Sequence, residues 1–200
     1  MQTPARIAID ANHPDPAAVR EAARVLGAGG LIILPTDTVY GLAAADRPEA
    51  MEAIYRAKAR DPRKPIPLLA ADVDAVERSG ARITPRARRV AERYWPGALT
   101  LVFPVSDRWE GFRVPDHAVA RAVAVAAGGV LRVTSANLSG APAAMTADQA
   151  QEALGDRVDL ILDAGPCRWM QASTVVKADG DQWVLLREGV ISWAEIQTIR

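Results

Sequence analysis

The sequence contains very little cysteine and histidine. Cys167 is its single cysteine, so the chain cannot form an internal disulfide, and histidine occurs only as His13 and His117. The thiol has no obvious base beside it in the sequence, and no His/Cys spacing resembles a zinc site. Nucleophilic and zinc-dependent catalysis therefore have little support, and we interpret Cys167 as a structural residue.

Long hydrophobic runs and aromatic residues are also scarce. No apolar stretch reaches the roughly 18 residues of a membrane span, and the amino terminus lacks the pattern of a signal peptide. Aromatic residues make up 5% of the chain, too few for the stacking surfaces of single-strand RNA binders. We expect a cytoplasmic protein with no membrane segment.

What the sequence does contain is typical of one globular domain. Half of its 200 residues are apolar and 24% are charged, enough apolar material for a core and too much for a disordered chain. A chain of this length suits a single domain, which we place over residues 1–200.

The net charge of zero conceals a basic middle. Residues 1–50, 51–93 and 94–200 carry net charges of −2, +5 and −3. Only three of the 24 basic residues are lysines, and two of these, Lys58 and Lys64, lie close together. An anionic ligand should prefer this region, although on charge alone a solvated helix face is the simpler interpretation.

Helical and strand patterns alternate along the chain. A helix is predicted after Asp15 and Pro16, and a second is predicted after residue 46, with Asp46 as its cap. A hairpin with its turn at 179–181 indicates antiparallel pairing near the end. We therefore predict an α/β fold with an open, twisted sheet of mixed parallel and antiparallel strands and flanking helices.

Three polar loops follow predicted strands or helix ends, at 35–40, 58–65 and 134–140. Ligands in such sheets gather where loops leave the strand ends. The second loop and the helix end before it carry four basic side chains: Lys58, Arg60, Arg63 and Lys64. Guanidinium and ammonium groups of this kind could surround a triphosphate.

The third polar loop offers uncharged donors. Ser135 and Asn137 flank a small alanine and precede Gly140, an arrangement that can present hydroxyl, amide and backbone donors to a ligand. The same residues also make ordinary turns, so the loop by itself leaves both interpretations open. Neither a P-loop nor a Rossmann glycine pattern occurs in the chain.

Seven segments taken in order carry a family resemblance. They are PTDTVYGL at 35–42, KARDPRKPIPLL at 58–69, WPGALTLVF at 95–103, RVPDH at 113–117, TSANLSG at 134–140, STVV at 173–176 and LREG at 186–189. Together they cover nearly the whole chain, which resembles the short, single-domain form of the YrdC/TsaC family. The resemblance implies a YrdC-like fold and an L-threonylcarbamoyladenylate synthase, which makes threonylcarbamoyl-AMP and pyrophosphate from L-threonine, bicarbonate and ATP.

The resemblance also implies roles for individual residues. The catalytic set is Lys58, Arg60, Ser135 and Asn137. The threonine-binding set is Thr36, Thr38, Arg113 and Ser173, with the arginine facing the carboxylate. The ATP-binding set is Arg60, Lys64, Ser135, Asn137 and Arg187. No metal site is expected on the protein itself, and the Mg²⁺ ion would be carried with ATP.

Some positions depart from the usual family pattern. Family members usually have glycine between the lysine and the arginine, where this chain has Ala59, and proline after the arginine, where it has Asp61. The segment after TSANLSG is APAAMTAD in place of a Ser/Pro-rich run.

The implied product would pass to a tRNA-modifying threonylcarbamoyl transferase complex. Two alternatives stay open at this point. One is a YciO-like paralogue with a different activity. The other is a module that binds tRNA or double-stranded RNA through the basic stretch from Arg56 to Arg93 without catalysis.

Overall fold

The computed structural model describes residues 3–180 and 182–199, and this part of the chain forms one continuous sheet with flanking helices. The strands are β1 (Ala5–Ala8), β2 (Ile32–Leu34), β3 (Gly41–Ala45), β4 (Leu68–Ala70), β5 (Leu99–Val105), β6 (Arg108–Arg113), β7 (Val130–Ser135), β8 (Leu160–Asp163), β9 (Thr174–Asp179) and β10 (Gln182–Arg187). The α-helices are α1 (Pro16–Gly27), α2 (Pro48–Lys58), α3 (Val73–Arg78), α4 (Pro85–Tyr94), α5 (Ala118–Ala126), α6 (Ala147–Leu154) and α7 (Trp193–Gln197).

The sheet mixes parallel and antiparallel pairs, as predicted. Its strand order is β1-β8-β2-β3-β7-β4-β6-β5-β9-β10. The pairs β1/β8, β2/β8, β4/β6 and β5/β9 are parallel, and the other pairs are antiparallel. The predicted final hairpin is β9/β10. Asp181 in its turn lies outside the described residues.

Helices cover the two ends of the sheet differently. At the β2/β3 end, Ile32 and Ala43 pack into one buried cluster with α1 and α5, whereas Ile33 and Leu42 pack into another with α2 and α6. At the β5/β9 end, alternate side chains such as Leu101 pack against α4 and α7. The side chains between them face the opposite side, so this end leaves one face of the sheet open for a ligand.

The predicted cap of α2 is wrong. The helix begins at Pro48 after Arg47, with no side-chain hydrogen bond at its N-cap. Asp46 instead accepts a 2.7 Å hydrogen bond from Nε of Arg132, which is 3% exposed and pairs with Glu110 as well. A buried guanidinium needs such acceptors, and proline at the first helical position starts the helix without a side-chain cap.

Two strands were not predicted. β1 has a mostly exposed, unpatterned sequence, and β3 is the glycine- and alanine-rich end of the first polar loop. Among the residues that the structure describes, no helix is long and apolar enough to cross a bilayer.

Candidate active site

A cavity of about 680 Å³ lies on the open face of the sheet, in the size range of small-molecule sites. Strands β4, β5, β6, β7 and β9 form its floor, and the loops after β2, α2 and β7 form its walls. Its polar lining side chains are Thr36, Thr38, Arg60, Thr100, Arg113, Thr134, Ser135, Asn137, Ser173, Lys177 and Arg187. No aspartate or glutamate of the described residues lines it, so the cavity favours anions.

The inner end of the cavity is defined here by Arg113 and the two threonines of the first loop. Arg113 is fixed there by three hydrogen bonds. Its Nη1 donates to Thr38 Oγ1 and its Nη2 to Asp37 Oδ1, both at 2.5 Å, and its Nε donates to the Gly97 carbonyl at 3.0 Å. Arginine has five N–H donors, so one remains on each terminal nitrogen for an anionic ligand. Burial lowers the pKa of Arg113 from its usual value, although the nearby Asp37 opposes this effect.

The two threonines of the first loop hold each other. Thr36 Oγ1 lies 3.1 Å from Thr38 Oγ1 and donates to the Val39 carbonyl at 2.6 Å. Asp37, between them, is 1% exposed and forms an ion pair with Arg113 that sequence reasoning missed. Its position between two assigned threonines was the available signal.

Lys58 does not line the cavity. Its side chain is 1% exposed, and its Nζ donates to the carbonyls of Ser135 and Asn137, behind the third loop. Burial, helped by the positive charge of Arg60, lowers the pKa of Lys58 from 10.5 to about 8. The geometry therefore makes Lys58 a tether of the loop that carries Ser135 and Asn137.

Asn137 is built into the loop that Lys58 holds. Its Nδ2 donates to the carbonyls of Leu138 and Ala141, each at 2.8 Å. Its Oδ1 is buried and has no hydrogen-bond partner among the residues described. Asn137 and Ser135 both line the cavity, so this unpaired acceptor lies in the cavity wall.

The second loop brings one of its basic side chains into the cavity. Arg60 lines it and donates to the Pro65 carbonyl at 3.0 Å. The chain turns towards this position at Ala59, whose φ of 49° lies in the left-handed region. Lys64 is exposed and does not line the cavity, and Arg63 pairs with Asp61 at 2.8 Å. The structure thus does not bring Lys64 into the site.

Three further side chains of the cavity lining, Thr100, Ser173 and Arg187, form a second hydrogen-bonded cluster. Ser173 Oγ lies 2.9 Å from Thr100 Oγ1, and Arg187 Nη2 donates to the Ser173 carbonyl at 2.8 Å and to its Oγ at 3.2 Å. Gly189 allows this approach, because a Cβ there would lie 2.1 Å from the Ala172 carbonyl oxygen. Sequence reasoning missed Thr100, a hydroxyl in an otherwise apolar strand.

Cys167 and His117 lie outside the lining set. Cys167 is buried, and burial raises its pKa to about 11, which keeps the thiol protonated and agrees with a structural role. His117 is at the N-cap of α5 without a side-chain cap bond, and burial lowers its pKa. Across residues 3–180 and 182–199, no group of three His, Cys, Asp or Glu residues could hold a metal ion.

Comparison with known proteins places these features in context. The model of the family Sua5_yciO_yrdC, described as telomere recombination, matches residues 24–189. The chain is 34% identical over 193 residues to the threonylcarbamoyl-AMP synthase of Bacillus subtilis, covering 90% of this chain and 56% of that protein.

Two solved structures resemble the fold closely. Sua5 of P. abyssi, crystallised with L-threonine, superimposes with a TM-score of 0.91 at 30% identity, covering 97% of this chain and 60% of that one. E. coli YciO superimposes with a TM-score of 0.83 at 25% identity, covering 96% and 98%. The chain thus spans less than two thirds of the B. subtilis synthase and of P. abyssi Sua5.

Proposed function

The chain belongs to the Sua5_yciO_yrdC family, and we propose that it is a threonylcarbamoyl-AMP synthase that uses L-threonine, bicarbonate and ATP. The main support for this proposal is the set of side chains that line the cavity. Arg60, Arg113 and Arg187 line one cavity of about 680 Å³ with hydroxyl groups between them and no acidic side chain among the described lining residues. Such a cavity suits several anionic groups that must meet in one place.

Threonine would bind at the inner end. The two unused N–H donors of Arg113 take its carboxylate, and Thr36, Thr38 and Ser173 lie beside it as hydroxyl partners. The similarity to the threonine-bound Sua5 structure supports this assignment. Asp37 and Gly97 fix the guanidinium before the substrate arrives, so little ordering is left for the binding step.

ATP would bind between the second and third loops and the wall at Arg187. Arg60 and Arg187 donate in the structure to main-chain carbonyls, so no carboxylate neutralises them in these contacts. Ser135 and Asn137 add neutral groups from the third loop. Lys58 acts through the loop whose carbonyls it holds and through its charge behind that loop, rather than as a lining residue.

The chemistry needs positioning and charge rather than an enzyme nucleophile. The amine of threonine adds to bicarbonate with loss of water, giving an N-carboxy group. One oxygen of this group attacks the α-phosphate of ATP, and the bond to the pyrophosphate leaving group breaks. The arginines stabilise the charge that develops on the phosphates and oppose the repulsion between three anionic reactants.

Mg²⁺ would enter with ATP. The lining groups are hydroxyls, amides and cations, and none of those described is a carboxylate of the kind that anchors Mg²⁺ on a protein. These residues fit an ion carried by phosphate oxygens and water, which offsets phosphate charge. In this proposal the product passes to a tRNA-modifying threonylcarbamoyl transferase complex in the cytoplasm.

The test is direct formation of the product. Purified protein is incubated with MgATP, L-threonine and bicarbonate, and pyrophosphate and threonylcarbamoyl-AMP are followed by mass spectrometry. We expect product only with all three substrates and a loss of about a hundredfold in Arg60→Ala. The control Arg20→Ala should keep full activity, because Arg20 lies on the exposed side of helix α1. Absence of product from folded, ATP-binding protein would refute the proposal and favour a YciO-like paralogue.

RNA binding by the basic segment stays a prediction. In the structure Arg56, Arg63, Arg78 and Arg88 pair with nearby carboxylates, which reduces the positive charge left for a phosphate backbone. Titration with tRNA at two salt concentrations tests it. Salt-dependent binding without product formation would favour an RNA-binding module over the synthase.

A further inference from the structure

The outer end of the cavity carries an aromatic ring and a paired cation. Trp109 on β6, 38% exposed, and Lys177 on β9 both line the cavity. Nζ of Lys177 lies 3.7 Å from the centre of the Trp109 ring and 3.4 Å from Asp179 Oδ2. None of the roles described above uses these residues.

Their distance from Arg113 follows from the strand geometry. Residues 109, 111 and 113 of β6 share one face, and four residues at about 3.3 Å each put Trp109 about 13 Å from Arg113. Between them Gly111 has no side chain, and a Cβ there would lie 3.2 Å from Cβ of Pro67. The floor between the two ends is therefore kept free of a bulky side chain.

This separation matches an extended acyl adenylate. In threonylcarbamoyl-AMP about eleven bonds separate the carboxylate carbon from the base, and bonds of about 1.3 to 1.5 Å give them the reach to span the floor. With its carboxylate on Arg113, such a molecule would place its base at the outer end.

We propose that the indole of Trp109 is the surface on which the base of ATP stacks, an inference that rests on the function proposed above. The charges favour a base over pyrophosphate here. Asp179 neutralises Lys177 and would repel a pyrophosphate. Arg60 and Arg187 donate to main-chain carbonyls and have no carboxylate in these contacts, so they suit the phosphates better. A flat, uncharged ring system suits an aromatic surface beside a neutral ion pair.

The ammonium of Lys177 covers one face of the indole, so the base must replace it there. A cation on an exposed aromatic ring is worth roughly two- to fivefold in an equilibrium, whereas a base on an aromatic ring is worth roughly five- to 150-fold. The exchange favours the base. The ammonium remains within reach of Asp179, and its removal should help ATP binding or leave it unchanged.

The test is calorimetric titration of the full chain with ATP, without threonine or bicarbonate. We expect Trp109→Leu to weaken ATP binding at least tenfold and Trp109→Phe to weaken it by less than about threefold. The matched control is Trp169→Leu, since Trp169 is 46% exposed, has Arg168 over its ring at 5.0 Å and does not line the cavity. It should bind ATP like the parent protein.

Two further titrations separate a base from a phosphate. Trp109→Leu should leave the affinity for inorganic pyrophosphate unchanged and should remove the preference of the parent protein for AMP over ribose 5-phosphate. Lys177→Met should bind ATP as tightly as the parent or up to about fivefold tighter.

Specific results would overturn the proposal. An ATP affinity of Trp109→Leu within twofold of the parent would show that no base stacks there. Weaker binding of both ATP and pyrophosphate by Lys177→Met would assign the outer end to pyrophosphate. If the parent binds ATP with the expected pattern but makes no threonylcarbamoyl-AMP, the stacking site stands and the proposed function fails.

Discussion

Replacement of Lys58 by methionine tests the electrostatics of its buried ammonium. Methionine is similar in length but has no charge and no titration. At about 1.4 kcal/mol per pH unit, the difference between an ordinary pKa of 10.5 and a folded-state pKa of about 8 corresponds to about 3 kcal/mol. The folded protein carries this cost at pH 7, where the lysine is charged in both the folded and the unfolded states.

The sign of the pH dependence follows from proton binding. Between pH 8 and 10.5 the unfolded chain holds a proton on Lys58 that the folded chain has released, so unfolding becomes less favourable as pH rises. The neutral amine keeps two N–H donors, enough for the carbonyls of Ser135 and Asn137. From pH 7.5 to 9.5 the parent should gain about 2 kcal/mol in unfolding free energy relative to Lys58→Met.

The assay is urea denaturation of both proteins at several pH values from 7 to 9.5. The comparison cancels groups shared by the two proteins, such as Cys167 and Tyr40, whose raised pKa values act in the opposite direction. A difference in unfolding free energy that stays constant over this range would show that the pKa of Lys58 is not lowered in the folded protein. Because the third loop loses its tether, turnover of Lys58→Met should also fall by roughly a hundredfold while the protein stays folded.

Three further predictions follow from single contacts. Asp37→Asn should lower the unfolding free energy in urea denaturation by about 3 kcal/mol, because it leaves Arg113 buried without its carboxylate partner. The control Asp61→Asn, in an exposed ion pair, should change the unfolding free energy by less than about 1 kcal/mol. Equal effects of the two substitutions would contradict a buried ion pair between Asp37 and Arg113. Ala59→Gly should raise the thermal unfolding midpoint, because glycine relieves about 1 to 2 kcal/mol of left-handed backbone strain and costs only roughly 0.5 to 1 kcal/mol in entropy. The control Ala53→Gly, within helix α2, should lower the thermal unfolding midpoint. Thr100→Val should lower kcat/KM for threonine up to about tenfold, because the buried Ser173 loses its hydroxyl partner. Unchanged steady-state kinetics would remove Thr100 from the site.

The sequence predicted what short-range patterns and motif order encode. The helix starts after Asp15 and Thr84, the final hairpin and the mixed sheet are all present. Strand β3 was missed because glycine and alanine carry little strand signal, although both of its faces are buried between other elements. Asp46 was misassigned because its partner Arg132 is 86 residues away in the sequence.

Motif order predicted several residues that line the cavity, but it could not predict how they are arranged there. Motif order named Thr36, Arg113 and Ser173, and these residues do line one cavity. It could not show that the side chain of Lys58 points behind a loop, since that depends on where a helix end meets a distant strand. No sequence motif indicated that Trp109 and Lys177 are neighbours, because their contact depends on how β6, β5 and β9 are aligned in the sheet.

Alternate side chains of β5 face opposite sides of the sheet, one side packed against helices and the other lining the cavity. Leu101 and Phe103 are fully buried against helices, whereas Thr100 and Val102 face the cavity. A substitution at a cavity-facing position changes what the floor offers a ligand without disturbing the packing that holds the strand in place. Ligand preference and folding can therefore vary independently at neighbouring positions, and new specificity can evolve on this half of the sheet with little loss of stability.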